Sequence, residues 1–398
     1  MFKEFTTQER RIILSITFAV VVRMLGLFLL LPVLSPYLKT LEDSTPQLIG
    51  LAIGIYGLAQ ALLQIPFGYL SDKHGRKPVI IVGMLTYALG SFMAGLVGNI
   101  WSMVFARFLQ GFGAVSSAMI ALSADLTREE VRTKAFAQIG ASIGITFTLS
   151  LVLAPVLAGS FGVPFLFFIT AVLSLIAIFI IMVLVPEPES RKREREINPS
   201  LFNIFTIFKD KNQVFLNFSI ALLHAYMVVI FTVVPYELVY THGLPKLQHW
   251  KIYLPTILLS LVLMFPIMMF ADRKEKIRNV FLTSIFLIGL SFLVFVTIIN
   301  FWGLFLAVLF FFLGFNLLEA LIPSLLTRLT HKDIRGLSLG LFNTNQFLGA
   351  FLGGIWGGYA LKYGYEHMST LAMGLSLLWL LVGLLWFRGL ILPQRSKP

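Results

Sequence analysis

Twelve long apolar runs, separated by short polar breaks, make up almost the whole chain. A helix needs about 20 largely apolar residues to cross the hydrocarbon of a bilayer. Runs of that kind fall near 11–38, 46–70, 78–98, 101–125, 135–159, 163–185, 214–238, 250–271, 279–299, 302–327, 336–361 and 367–388. Breaks such as Gly98-Asn99-Ile100 and Ile299-Asn300-Phe301 are so short that the helices beside them are antiparallel neighbours. The pattern predicts an all-α integral membrane protein with twelve transmembrane helices. The first run follows Arg10-Arg11 and passes Leu31. It is too long for a signal-peptide core, has no small-residue cleavage site behind it, and is expected to stay as a span.

The longest break, Pro186 to Gln213, divides six runs from six. It carries Arg191-Lys192-Arg193-Glu194-Arg195-Glu196 and then turns amphipathic at Leu201, Phe202, Ile204, Phe205, Ile207 and Phe208, which suits a short helix lying on the membrane surface. The expected organisation is an N-terminal six-helix bundle over 1–185, a cytoplasmic connector over 186–213 and a C-terminal six-helix bundle over 214–398. An internal repeat supports it. Ile65-Pro66-Phe67 with Asp72-Lys73 recurs 200 residues later as Phe265-Pro266-Ile267 with Asp272-Arg273. Leu126-Thr127-Arg128 through Arg132 recurs 203 residues later as Leu329-Thr330-His331 through Arg335. The halves read as parallel repeats related by a pseudo-two-fold axis, an arrangement in which transporters handle substrate near the bilayer midplane.

Charge sets the orientation. Alternate breaks hold only Lys39, Lys246, Lys251 and Lys362, while the other breaks and the two ends hold nearly all the remaining Lys and Arg. Both termini are therefore expected in the cytoplasm. The net charge of +12, which in a soluble chain would point to nucleic acid, reads here as topology and contact with anionic membrane lipids, with no nucleic-acid partner. The chain has no cysteine, and its six histidines lack a paired zinc spacing, so no metal and no cofactor is expected. No cluster of nucleophile and base stands near an interface, which argues against an enzyme. A G-x-x-x-x-G-K-[ST] phosphate loop is also missing, so an ion gradient is the expected energy source.

Between the second and third runs stands Gly68-Tyr69-Leu70-Ser71-Asp72-Lys73-His74-Gly75-Arg76-Lys77. Gly68 would let a neighbouring helix approach closely, Gly75 permits a tight turn, and Asp72 can meet Arg76 or the positive end of an adjoining helix. A loop that only fixed topology would need the charge, but not the glycines or the acid. The stretch resembles the loop between the second and third spans of the major facilitator superfamily, G-x-x-x-D-[RK]-x-G-[RK]-[RK], and fills every constrained position. The resemblance implies a conformational latch of Gly68, Asp72, Gly75, Arg76 and Lys77. It also implies that Asp125, at the end of the fourth span, joins Arg76 in a charge cluster that stabilises the state closed to the cytoplasm. The second copy lacks the glycines, and Arg328 stands where Asp125 stands in the first.

Further stretches resemble the twelve-span drug/proton antiporters of that superfamily. Arg23, Gly26, Pro32-Val33 and Pro36 resemble their first-span motif, and Arg107, Gln110, Gly111 and Gly113 fill the fourth-span motif R-x-x-Q-G-x-G. The fifth-span Gly-Pro-x-x-Gly-Gly is represented only by Ala154-Pro155-Val156-Leu157-Ala158-Gly159, a departure that weakens the case for antiport over other transport modes. Across all twelve spans the chain is similar to the bacterial YajR-type inner-membrane transporters, through Ile53 to Leu58 and Asn316 to Leu321. Members of that type can carry a small soluble domain after the last span, and this chain, ending at Pro398, is expected to lack it.

An ionisable side chain inside a bilayer is by default a functional hypothesis. Glu319, about 12 Å from the cytoplasmic end of the tenth span at 1.5 Å per residue, is the best candidate proton carrier, the alternative being a carboxyl held for packing. His224 in the seventh span and Arg107 in the fourth are candidates to assist it, although a lone His in a span is more often a satisfied packing residue. Arg23 reads as either a structural tie or a binding cation. Tyr56, Gln60 and Gln64 share one face of the second span. With Arg23, Asn316, Asn343 and Gln346 they could line a cavity for a partly apolar substrate, or simply bond helix to helix. The expected function is a monomeric, proton-coupled exporter of small organic or drug-like solutes in the bacterial inner membrane. Proton symport or uniport of a metabolite such as a sugar or amino acid is the alternative, and a non-transporting membrane sensor a third.

Overall fold

The computed structural model describes residues 5–188, 207–273, 276–331 and 334–389. Its elements follow from the apolar runs: α1 (Thr7–Phe28), α2 (Leu34–Leu38), α3 (Pro46–His74), α4 (Arg76–Leu96), α5 (Ile100–Gly111), α6 (Ser116–Asp125), α7 (Glu129–Phe161), α8 (Val163–Leu184), α9 (Lys211–Tyr240), α10 (Trp250–Arg273), α11 (Ile277–Thr297), α12 (Phe301–Leu329), α13 (Arg335–Tyr363) and α14 (Tyr365–Arg388). No strand forms among the described residues, the nearest approach being an isolated bridge between Glu42 and Asn99. Among the described residues, eleven helical segments, α5 and α6 counting as one, are long and apolar enough to cross a membrane. The remaining expected span is α13, 29 residues long but polarised at mid-length by Asn343, Thr344, Asn345 and Gln346.

Two spans depart from the continuous helices that the apolar pattern predicts. The first, expected over 11–38, ends at Phe28 and resumes as α2 after a turn through Leu29–Val33. Pro32 has no N–H to continue the ladder and its ring opposes a preceding turn of helix. The fourth, expected over 101–125, breaks between Gly111 and Ser116. There the chain presses on its neighbours: a Cβ on Gly111 would lie 2.5 Å from Ala59 Cβ, and one on Gly113 would lie 2.8 Å from Tyr87 Cβ. The amphipathic positions Leu201, Phe202, Ile204 and Phe205, and the side chains of Asp272 and Arg273, lie outside the described residues.

The helices gather into two compact units, Met1–Glu196 with Pro235–Trp250, and Ile197–Val234 with Lys251–Pro398. In the first, α1 packs on α7 and α8, and α4 packs on α5 and α8. Their apolar faces meet in a core that includes Ile16, Val20, Met84, Met119, Leu122, Ile139 and Ile181. In the second, α11 packs on α12 and α14, the same partnership of third, fourth and sixth spans. Leu85, Leu89, Phe92, Phe179 and Val183 in the first unit, and Val262, Phe286, Leu378 and Leu385 in the second, stay exposed, as side chains facing hydrocarbon should.

The repeat is visible in the local chemistry of each unit. Asn99 caps α5 by accepting from Ser102 N at 2.8 Å, and Asn300 caps α12 by accepting from Gly303 N at the same distance. Gly162 (φ 82°) and Gly364 (φ 98°) make the positive-φ corners before the sixth span of each half.

Candidate functional site

The residues expected to form the latch gather at the C-terminus of α3. Gly75, at φ 95°, turns the chain directly from α3 into α4, so Arg76 begins the new helix beside the last turn of the old one. Its guanidinium pairs with Asp72, lies 3.2 Å from Asp125 Oδ2 through Nε, and donates to Ser71 Oγ at 2.7 Å. The two acids are not alike. The Asp72 side chain is 62% exposed and that of Asp125 12%, against 11% for Arg76. Lys77 donates to Met182 O (3.0 Å) and Val185 O (2.8 Å), tying the start of α4 to the carbonyl end of α8. Gly68 departs from its expected role. A Cβ there would stand 3.7 Å from Ser117 Oγ, an ordinary contact, so no close helix approach demands glycine at this position.

Deeper in the same unit, α1, α3, α4, α5 and α6 assemble a polar network round two buried arginines. Arg23 donates to Gln60 Oε1 (3.4 Å), to Met24 Sδ (3.8 Å) and to Ser116 Oγ. Gln60 donates in turn to Tyr56 OH at 3.2 Å. Arg107 bonds Gln110 Oε1 and lies over the Tyr56 ring at 4.9 Å, and Gln110 donates to Ser91 Oγ at 2.8 Å. Tyr87 donates to the backbone oxygen of Arg23 at 3.0 Å, and Gly26 is what admits it: a Cβ there would sit 2.1 Å from the Tyr87 hydroxyl. Gln64, on the same face of α3, is buried with neither amide atom partnered. The sequence pointed to Arg23, Tyr56, Gln60, Gln64, Arg107 and Gln110, but not to Tyr87, Ser91 or Ser116. Hydroxyls are too common in spans to single out.

The second unit holds the acid. His224 Nδ1 donates to Ile220 O at 3.3 Å, which leaves Nε2 as an acceptor, and Gln346 Nε2 donates to it at 2.7 Å. Glu319 Oε2 stands 3.9 Å from His224 Nε2 and has no hydrogen-bond partner, while the side chain as a whole is 40% exposed. One turn back along α12, Asn316 donates to Ser260 Oγ at 2.9 Å. On α13, Asn345 donates to Asn217 Oδ1 at 3.1 Å and to Leu341 O at 2.8 Å. Glu319, His224 and Gln346 thus meet from three helices, and a carboxyl beside a neutral imidazole can exchange a proton without a permanent ion pair.

Three features escaped the sequence reading. Glu9 takes a two-pronged bond from the Arg128 side chain (2.9 and 3.0 Å) and one from Arg128 N (3.1 Å), joining the start of α1 to the start of α7. It also completes a capping box with Thr6, a signal the Thr-x-x-Glu spacing carried. At the third residue of α9, Gln213 makes the corresponding tie without charge, to Thr330 Oγ1 (2.5 Å) and from Ser338 Oγ (2.6 Å). Third, Gly349, Gly353 and Gly357 line the face of α13 against α9. Added Cβ atoms would fall 1.9 Å from Ala221 O, 2.3 Å from Ala225 O and 2.7 Å from Thr232 Cβ.

Comparison with known proteins agrees with this architecture. Residues 16–354 match the family described as Major Facilitator Superfamily. The chain is 38% identical over 360 residues to the inner membrane transport protein YajR of Escherichia coli K12, covering 89% of this chain and 78% of that one. It is 24% identical over 372 residues to the multidrug resistance protein MdtH of Salmonella arizonae, covering 91% and 88%. The crystal structure of the nucleoside transporter NupG superposes with a TM-score of 0.74 at 18% identity, covering 96% of this chain and all of that one. Helices, motifs and relatives agree: the chain belongs to the major facilitator superfamily of membrane transporters, which are not enzymes.

Proposed function

We propose that this transporter couples proton movement to the export of small organic or drug-like solutes across the bacterial inner membrane, working by alternating access as a monomer. The observation that carries the reading is Glu319, a carboxyl on a membrane span with one buried, unpartnered oxygen, 3.9 Å from a neutral imidazole. An ionised carboxylate so placed is costly and a protonated one is not, so proton occupancy changes the relative stability of the transport states. Glu319 carries the proton, with His224 and Arg107 assisting, and substrate and proton compete. Arg23, Tyr56, Gln60, Gln64, Asn316, Asn343 and Gln346 supply polar groups for the solute. Arg76, with Asp72 and Asp125, holds the cytoplasm-closed state until the latch opens. The names of YajR, an inner membrane transport protein, and MdtH, a multidrug resistance protein, support the location and the solute class.

The test is the internal pH of proteoliposomes holding the purified protein under an imposed proton gradient, while amphipathic cations, organic anions, sugars and amino acids are added in turn. Substrate-dependent proton movement that disappears in Glu319→Gln is the expected result. Movement unchanged in that variant would remove Glu319 as the carrier. Proton symport or uniport of a metabolite is the second reading, supported by the altered fifth-span motif. There a Cβ on Gly159 would lie 2.5 Å from Leu247 Cγ, so the last glycine of the motif still serves a close approach. The direction of proton flow separates the two readings.

A further inference from the structure

We infer that the polar network of the first unit is a receptor for an organic anion, a small carboxylate or sulfonate whose acidic group bonds to Arg23 and Arg107. The inference deepens the transport reading above and rests on it. Arg23 and Arg107 are 1% and 2% exposed, and a guanidinium keeps its charge under all ordinary conditions. Buried cations are normally matched by carboxylates, because an unmatched charge in a low-dielectric site is strongly destabilising. Among the described residues of this unit no match is present. Every partner of the two arginines is neutral: the amide oxygens of Gln60 and Gln110, the hydroxyl of Ser116, the Met24 sulfur and the face of Tyr56. Each carboxylate of this unit among the described residues lies in a loop or within a first or last helical turn, away from the network.

Both arginines are also incompletely bonded, and in the same way. Nε of Arg23 and Nε of Arg107 are buried without an acceptor. A carboxylate or sulfonate approaching a guanidinium from the side takes Nε–H and a terminal N–H together, the two-pronged geometry that neutral single-oxygen acceptors cannot supply. The amide oxygens of Gln60 and Gln110 bond the outer Nη1 groups and leave the edge formed by Nε and Nη2 to the ligand; at Arg23 the anion takes the place of Ser116 Oγ and Met24 Sδ on Nη2, and at both arginines it adds the missing bond at Nε and the missing charge. Gln64, with its amide donor and acceptor both unpartnered on the Tyr56–Gln60 face of α3, gives the ligand a further polar contact. Two unmatched positive charges disfavour a cationic solute in this part of the protein, so the network selects by charge.

The experiment is thermal unfolding of the purified full chain in detergent, at fixed ionic strength, titrated with benzenesulfonate, benzoate, their neutral isosteres benzenesulfonamide and benzamide, and benzyltrimethylammonium. A ligand that binds the folded state raises the melting temperature in a saturable way. The inference predicts stabilisation by the two anions and none by the isosteres or the cation. It also predicts at least ~10-fold weaker anion affinity in Arg23→Gln and in Arg107→Gln, with partial recovery in the lysine variants. It is overturned if neither anion stabilises the wild type, if an isostere or the cation does so equally, or if both glutamine variants bind the anions unchanged. The wild-type comparison stands even if a variant fails to fold. Because no proton gradient is present, the outcome is separate from proton coupling. Anion binding without substrate-linked proton flux in vesicles would retire the coupling and keep the receptor, and flux driven by the cation alone would do the reverse.

Discussion

Asp125→Asn and Asp72→Asn each remove one negative charge beside Arg76, and their surroundings rank them. The Asp72 side chain is 62% exposed, so its pairing is screened by water and salt and contributes about 0–1 kcal/mol. Asp125 and Arg76 are 12% and 11% exposed and 3.2 Å apart. Removing the charge there leaves a largely dehydrated guanidinium with Ser71 and an exposed acid, a loss of roughly 1.5–3 kcal/mol. Since about 1.4 kcal/mol is a factor of ten in an equilibrium, Asp125→Asn should increase opening of this corner by roughly tenfold or more, and Asp72→Asn by only a fewfold. Hydrogen exchange of the backbone amides at 71–77, followed together with the melting temperature in detergent, reads this directly. Faster exchange and a lower melting temperature in Asp125→Asn, with Asp72→Asn close to wild type, is the expected result. Equal effects, or a larger effect from Asp72→Asn, would refute the argument that burial of the Arg76–Asp125 pair sets the strength of the latch.

Other substitutions test neighbouring parts of the account. Gly75→Ala meets no clash, its Cβ lying 3.5 Å from Pro78 Cδ, but must hold φ at 95°, so it should destabilise by about 1–3 kcal/mol in a thermal melt. Gly349→Ala would place a Cβ 1.9 Å from Ala221 O and force α9 and α13 apart, costing about 1–3 kcal/mol. Gly340→Ala on the same helix meets nothing within 4 Å and should be neutral or slightly stabilising, and equal melting of the two variants would contradict the close packing. Glu9→Gln should lower the melting temperature, and by less at high salt, because the lost tie to the half-exposed Arg128 is ionic. A loss independent of salt would assign the effect to the capping box alone.

How far the sequence went differs from part to part. Span number and fold class followed from the lengths of the apolar runs, because a bilayer forces backbone groups to pair within each segment and so makes apolar length the dominant signal. The breaks in the first and fourth spans did not follow, although Pro32 and Gly111-Phe112-Gly113 were visible. A proline or glycine inside a span is compatible with either a kink or a continuous helix until its neighbours are known. The approach of Asp125 to Arg76 was readable only through the family resemblance, since residues 49 positions apart carry no local signal. Gly68 shows the opposite limit, a motif position whose glycine meets no close neighbour here. The Gly349-x-x-x-Gly353-x-x-x-Gly357 seam had its signal in plain spacing. The pairing of Glu9 with Arg128 had none beyond the cap, because side-chain partners across a bundle depend on how the helices pack.

The central claim is that a proton on Glu319 drives transport, and the most direct measurement compares two modes of transport in Glu319→Gln proteoliposomes. For a labelled solute that the wild-type protein moves, the account predicts that uptake driven by an imposed proton gradient falls to the level of empty vesicles. Exchange of labelled for unlabelled solute at equal pH on both sides should persist, since that mode carries no proton and needs no change of charge at position 319. Gradient-driven uptake at the wild-type rate in that variant would contradict the claim.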